Sequence, residues 1–184
     1  MIKISGWGFD IVGRMPTMDE LDVVRKADAS PESFKDLARA CTQSPAFVDI
    51  MRAKPAAGPK LGMLYYKASG VAAELTALSE DEIPDGPMAE GYAEASKKGF
   101  GQLHAIQVEH NGELLELVLR EPREVECDAC MNKESVRTCK TLVDKITLWG
   151  AKGFEAKAPG LYIALAHYML EVVGLNEAAV VGEA

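Results

Sequence analysis

The dipeptide Asn111-Gly112 lies between two stretches of period two, Leu103 to His110 and Glu113 to Arg120. A two-residue type I′ turn needs positive φ at both central positions, which Asn and Gly tolerate, so the pair predicts a β-hairpin. The turn also fixes the register. It sets His110 opposite Glu113, Val108 opposite Leu115, Ile106 opposite Leu117 and His104 opposite Leu119. One face of the ribbon is then apolar apart from the two histidines, while Gln107, Glu109, Glu116 and Arg120 mark the other. A slip of one residue would invert every side chain, so the register is strongly specified. A ribbon with one apolar face needs a covering layer.

Helical patterns on both sides of the hairpin supply that layer. Thr17-Met18-Asp19-Glu20 has the form of a capping box. Ser30-Pro31 and Ser44-Pro45 each set an N-cap before a proline, where the missing N–H does no harm. Phe34, Leu37, Ala38 and Cys41 recur at helical spacing, which makes Cys41 a small core residue. Further helices are expected from Lys60 to about Leu78, Met88 to Lys98, about Asn132 to Trp149, and Gly160 to Val173. Ile2 and Ile4 suggest a brief strand able to join the hairpin. Gly6-Trp7-Gly8 lacks the third glycine of a dinucleotide-binding turn. The succession of elements reads as non-repeating. The expected fold is α+β: a mainly helical single domain over residues 1–184 with an antiparallel hairpin at about 103–120 packed by helices. Its helical part spans about 17–99. The hairpin, a cysteine-bearing stretch and two helices fill about 100–174, and a loose tail covers 175–184.

With 184 residues the chain can bury one good core. Its net charge of −8 leaves no basic field to gather phosphates, so nucleic acid is not an expected partner. The most apolar stretch, Gly160 to Val173, is short of the roughly 20 residues that cross a bilayer, so no membrane partner is expected either. Four cysteines without a recognisable export signal point to a cytoplasmic protein whose thiols are free, metal-bound or redox-active. The last helix is apolar almost all round, which suits a core or a homodimer interface.

Chemistry, if any, is expected at Cys127-x2-Cys130-x8-Cys139. Thiolates ligate zinc and iron–sulfur clusters, and a Cys-x2-Cys knuckle lets two sulfurs reach one ion. One unbroken helix from Cys127 to Cys139 would set Cys130 and Cys139 on opposite sides. A shared site therefore requires a loop over Cys127 to Met131 and a helix starting near Asn132. His104, at the end of the hairpin nearest Cys127, is the favoured fourth ligand; His110, Cys41 and Asp128 are the others. A strand from Arg123 to Glu126 leading into Cys127 and Cys130 would alternatively suit a redox dithiol, although the nearby Glu124, Glu126 and Asp128 disfavour its thiolate. His167 reads as a core histidine on the last helix. Two functions follow: a metal- or cluster-binding protein with zinc or iron–sulfur at Cys127, Cys130, Cys139 and His104, or a non-enzymatic small-molecule-binding or subunit-assembly module whose cysteines are merely buried.

Overall fold

A computed structural model describes residues 1–131, 135–150 and 153–174. The chain opens with a hairpin, β1 (Ile2–Gly6) and β2 (Phe9–Gly13). Helices α1 (Met18–Lys26) and α2 (Pro31–Cys41) follow, and β3 (Thr42–Ser44) returns to pair with β2. Helices α3 (Phe47–Ala53) and α4 (Ala57–Tyr66) complete this part. Next come β4 (Glu74–Leu78), α5 (Pro87–Lys97), and the hairpin of β5 (Leu103–His110) and β6 (Glu113–Arg120). Finally α6 (Glu124–Met131) and α7 (Val136–Ile146) lead into β7 (Thr147–Gly150) and α8 (Leu161–Val172). The architecture is α+β with two antiparallel sheets, ordered β1-β2-β3 and β4-β5-β6-β7.

The β5–β6 register is the expected one at all four named pairs. Its apolar face meets α6, α7 and α8 in a core holding Ile106, Val108, Leu117 and Leu119. The opposite face is covered as well: Met88 and Ala95 of α5 pack on Ala105 and Val118. The capping boxes and prolines mark the helix starts at Thr17 and Ser30, whereas α3 begins at Phe47 and takes no cap from Ser44. The predicted helix from Lys60 to Leu78 ends early. Gly70 adopts φ 97°, and a Cβ there would lie 2.8 Å from the Leu161 side chain, so the chain turns and continues as β4 against β5. The helix expected to reach Trp149 stops at Ile146, because Thr147 to Gly150 complete the ladder beside β6. The expected tail, 175–184, lies outside the described residues.

The first sheet corrects two expectations. β1 does not join the β5–β6 hairpin, and the chain does repeat. Each half contains a hairpin closed by a two-residue turn with positive φ at both positions, Trp7-Gly8 in one and Asn111-Gly112 in the other. Each second strand ends in Arg-x-Pro-x3-Glu: Arg14, Pro16 and Glu20, then Arg120, Pro122 and Glu126. In both copies the arginine forms two hydrogen bonds with the glutamate and donates to the carbonyl of the residue after itself. The glutamate also accepts the backbone N–H three residues before it, from Thr17 or Arg123. A serine N-cap, Ser30 or Ser135, then starts a helix of 11 residues. A threonine, Thr42 or Thr147, opens a third strand whose register shifts at matching points, Val12/Gly13 and Val118/Leu119. A last helix closes each unit, burying Gly58, Leu61, Gly62 and Tyr65 in α4 and Tyr162, Leu165, Ala166 and Met169 in α8.

The two units pack side by side. Leu21 of α1 joins Val136 and Ile163 in a small shared cluster. Asp22 accepts the backbone N–H of Val136 at 2.7 Å, so a side chain of one unit caps a helix of the other. Outside it, Arg137 pairs with Asp19 at 2.9 Å. β4 and α5 belong to the second unit alone.

Candidate functional site

Cys127 and Cys130 sit three residues apart on the buried side of α6, and Cys139 faces them from α7. The stretch expected as a strand and then a loop is this helix, because Glu126 folds back on Arg120 and on the N–H of Arg123 to start it at Glu124. The Asn132 start predicted for the next helix lies outside the described residues; α7 is capped by Ser135, whose hydroxyl accepts from Thr138 N–H at 3.1 Å. The break between α6 and α7 lets the Cys130 thiol donate to Cys139 Sγ at 4.0 Å. All three cysteines belong to the same apolar core as Ile106, Leu142 and Leu165. Each is at most 4% exposed.

The environment disfavours thiolates. The hydrogen bond from Cys130 and then burial push the Cys139 thiol well above its ordinary range. Burial, followed by the charge of Asp128, pushes Cys127 up. Cys41 lies in the other core, with Phe34 and Leu37, where burial pushes its pKa up to about 12. It shares nothing with the cluster.

His104 faces the same side of the sheet as Ile106 and Val108. Its Nε2 is buried without a hydrogen bond, and the nearest carboxylate oxygen, Glu121 Oε1, stands 3.6 Å away. Among the described residues no group of three or more His, Cys, Asp or Glu side chains is arranged to hold a metal ion. His110 is held at the hairpin tip, its Nε2 2.8 Å from Asn111 Nδ2, and burial lowers its pKa. His167 is exposed on α8 rather than part of the core.

Superposing the roles of the two units explains the cluster. Cys127 and Cys130 follow Glu126 as Leu21 and Val24 follow Glu20, one and four residues on. Cys139 follows Ser135 as Phe34 follows Ser30. His104 pairs with Leu119 as Ile2 pairs with Gly13, each pair lying at the bulge. Cys127, Cys130, Cys139 and His104 thus each occupy a place that an apolar side chain fills in the first unit. Sequence reading missed this because the Cys-x2-Cys spacing of a metal knuckle is also the spacing of two core positions on one helix face. The signal that finds it is the repeated Arg-x-Pro-x3-Glu.

Two clefts flank these elements. One of about 410 Å³ lies between α6 and α7 beside Cys130, Thr138 and Lys145. The other, about 400 Å³, lies at the β5–β6 tip, lined by His110, Asn111, Glu113, Phe154 and Lys157 together with Met1 of the first unit. Among the described residues no helix is long and apolar enough to cross a membrane. Comparison of the chain with protein-family models, curated proteins and solved structures returned no match.

Proposed function

We propose that this chain is a cytoplasmic, non-enzymatic module for subunit assembly, with a secondary capacity for a small molecule at the hairpin-tip cleft, and that Cys127, Cys130 and Cys139 are packing residues. The equivalence of those cysteines with Leu21, Val24 and Phe34 carries the reading. A core position filled by leucine, valine and phenylalanine in one unit asks only for apolar volume in its twin. The raised thiol pKa values agree, since metal ligation and redox exchange both need thiolates.

The test is the triple replacement Cys127→Ala, Cys130→Val, Cys139→Ala, with metal analysis of both proteins purified without air. The reading expects a folded variant, destabilised by about 2 kcal/mol from lost volume, and no stoichiometric metal in either protein. A second reading, zinc or an iron–sulfur cluster on Cys127, Cys130, Cys139 and His104, draws on the 4.0 Å approach of two sulfurs. One metal or cluster per chain, lost in the variant, would establish it and discard the first.

A further inference from the structure

The two units differ most at the outer edge of their first strand. In the second unit β4 closes that edge, pairing Leu78 with Ala105, Thr76 with Gln107 and Glu74 with Glu109. In the first unit β1 is the outermost strand, and among the described residues nothing pairs with it on that side. The turn geometry tells which backbone groups are involved. Gly6↔Phe9 closes a two-residue turn and is a hydrogen-bonded pair, so Ile4↔Ile11 and Ile2↔Gly13 bond inward too. The N–H and C=O groups of Lys3 and Ser5 therefore point out of the sheet, as those of Ala105 and Gln107 do toward β4. The side chains of Lys3 and Ser5 are exposed.

We propose that β1 of a second copy closes this edge, running antiparallel about a two-fold axis at Ile4 and joining two three-stranded sheets into one of six strands. The proposal rests on the assembly reading above and names its interface. Three registers place outward-pointing residues opposite one another. Lys3 against Lys3 sets like charges face to face, which is destabilising. Ser5 against Ser5 carries Lys3 onto Trp7 in the turn. Lys3 against Ser5 satisfies both: four backbone hydrogen bonds form, Ile4 meets Ile4 and Ile2 meets Gly6. It also completes a row of charge. Ser5 donates to Asp10 at 2.8 Å, so the ammonium of Lys3 from one copy lies across from the Ser5–Asp10 pair of the other. Lysine on an open strand commonly guards it against pairing; in this register the guard is matched, which favours a second copy over an unrelated strand.

Sedimentation equilibrium from about 1 µM to about 1 mM, the span of weak to moderate interfaces, tests it. Wild type is expected to rise from 19.9 kDa toward twice that mass. Ser5→Pro removes an outward N–H while sparing every inward backbone bond and losing only the exposed Ser5–Asp10 side-chain bond, so it is expected to stay monomeric with its melting temperature nearly unchanged. Lys3→Glu is expected to weaken the dimer about tenfold, as two lost cross-strand pairs would, and Lys3→Glu with Asp10→Lys to restore it. Wild type at monomer mass throughout overturns the proposal, as does a dimer that survives Ser5→Pro. Should that variant unfold, the charge reversal and its rescue decide. None of these substitutions touches a cysteine, so a metal found in the wild type would refute the assembly reading without bearing on this edge.

Discussion

Replacing Glu126 by Gln probes the joint between the β5–β6 hairpin and the helices that cover it. The carboxylate accepts Arg120 Nη1 at 2.8 Å, Arg120 Nη2 at 2.7 Å and Arg123 N–H at 2.9 Å. Both side chains of the ion pair are about nine-tenths buried. These hydrogen bonds, Arg120 first, hold the Glu126 pKa down to about 2, against about 4.3 in a free chain. The difference corresponds to about 3 kcal/mol in favour of the charged folded form. That agrees with the roughly 3–5 kcal/mol lost when one partner of a buried pair is removed. The twin pair Arg14–Glu20 offers a control, since its side chains are 38% and 25% exposed. Solvent screening reduces the expected loss for Glu20→Gln to about 1 kcal/mol. Urea unfolding followed by circular dichroism at pH 7 should rank wild type above Glu20→Gln and Glu20→Gln above Glu126→Gln. The pH dependence has a definite sign. A depressed pKa stabilises above about pH 4.3 and loses its effect as pH falls through about 2, so wild type and Glu126→Gln should converge over that window. Equal stabilities for the two glutamine variants, or no convergence in acid, would refute the reasoning.

Three other outcomes follow from the packing. Gly62→Ala would set a Cβ 1.7 Å from the Phe34 carbonyl oxygen, forcing α4 off α2, and should lower stability by about 3 kcal/mol in the same urea assay; a loss below about 1 kcal/mol would mean the helices separate freely. The four thiols should resist a chromogenic disulfide reagent in the native protein and all react in denaturant, since each is at most 4% exposed; rapid native reaction of any one contradicts their burial. Asp22→Ala removes the cap on Val136 and should lower stability by about 1–2 kcal/mol, with faster amide exchange at the start of α7 as the local readout.

The hairpin register was legible because Asn111-Gly112 and strict alternation constrain it twice over, and the starts of α1 and α2 were legible in their caps. The first hairpin was not, because Trp7 holds φ 55° where sequence rules look for Asn, Asp or Gly. β4 and β7 were absorbed into helices: Leu75, Leu78 and Trp149 continue a helical spacing, and only pairing with β5 and β6 makes strands of them. Cys130 and Cys139 approach each other across the break between two helices, and α6 stands where the sequence suggests a loop, because the Glu126–Arg120 pair that starts this helix joins residues on different elements. The repeat escaped because the two units hold equivalent positions with different apolar side chains, and few polar residues are shared. Burial is kept between them; the size and identity of the apolar side chains are not.

The bond from Val136 to Asp22 has no counterpart in the other direction. The residue equivalent to Val136 is Pro31, which carries no N–H, and the one equivalent to Arg137 is Glu32, which would repel rather than attract an acidic neighbour. Asp128, standing where Asp22 stands, is left facing water. A further chain therefore cannot dock onto Pro31 in the way that the front half of this one grips its back half. Pro31 and Glu32 thus make the seam between the two halves one-sided: the contact that Asp22 and Asp19 make with Val136 and Arg137 is not repeated at the start of α2.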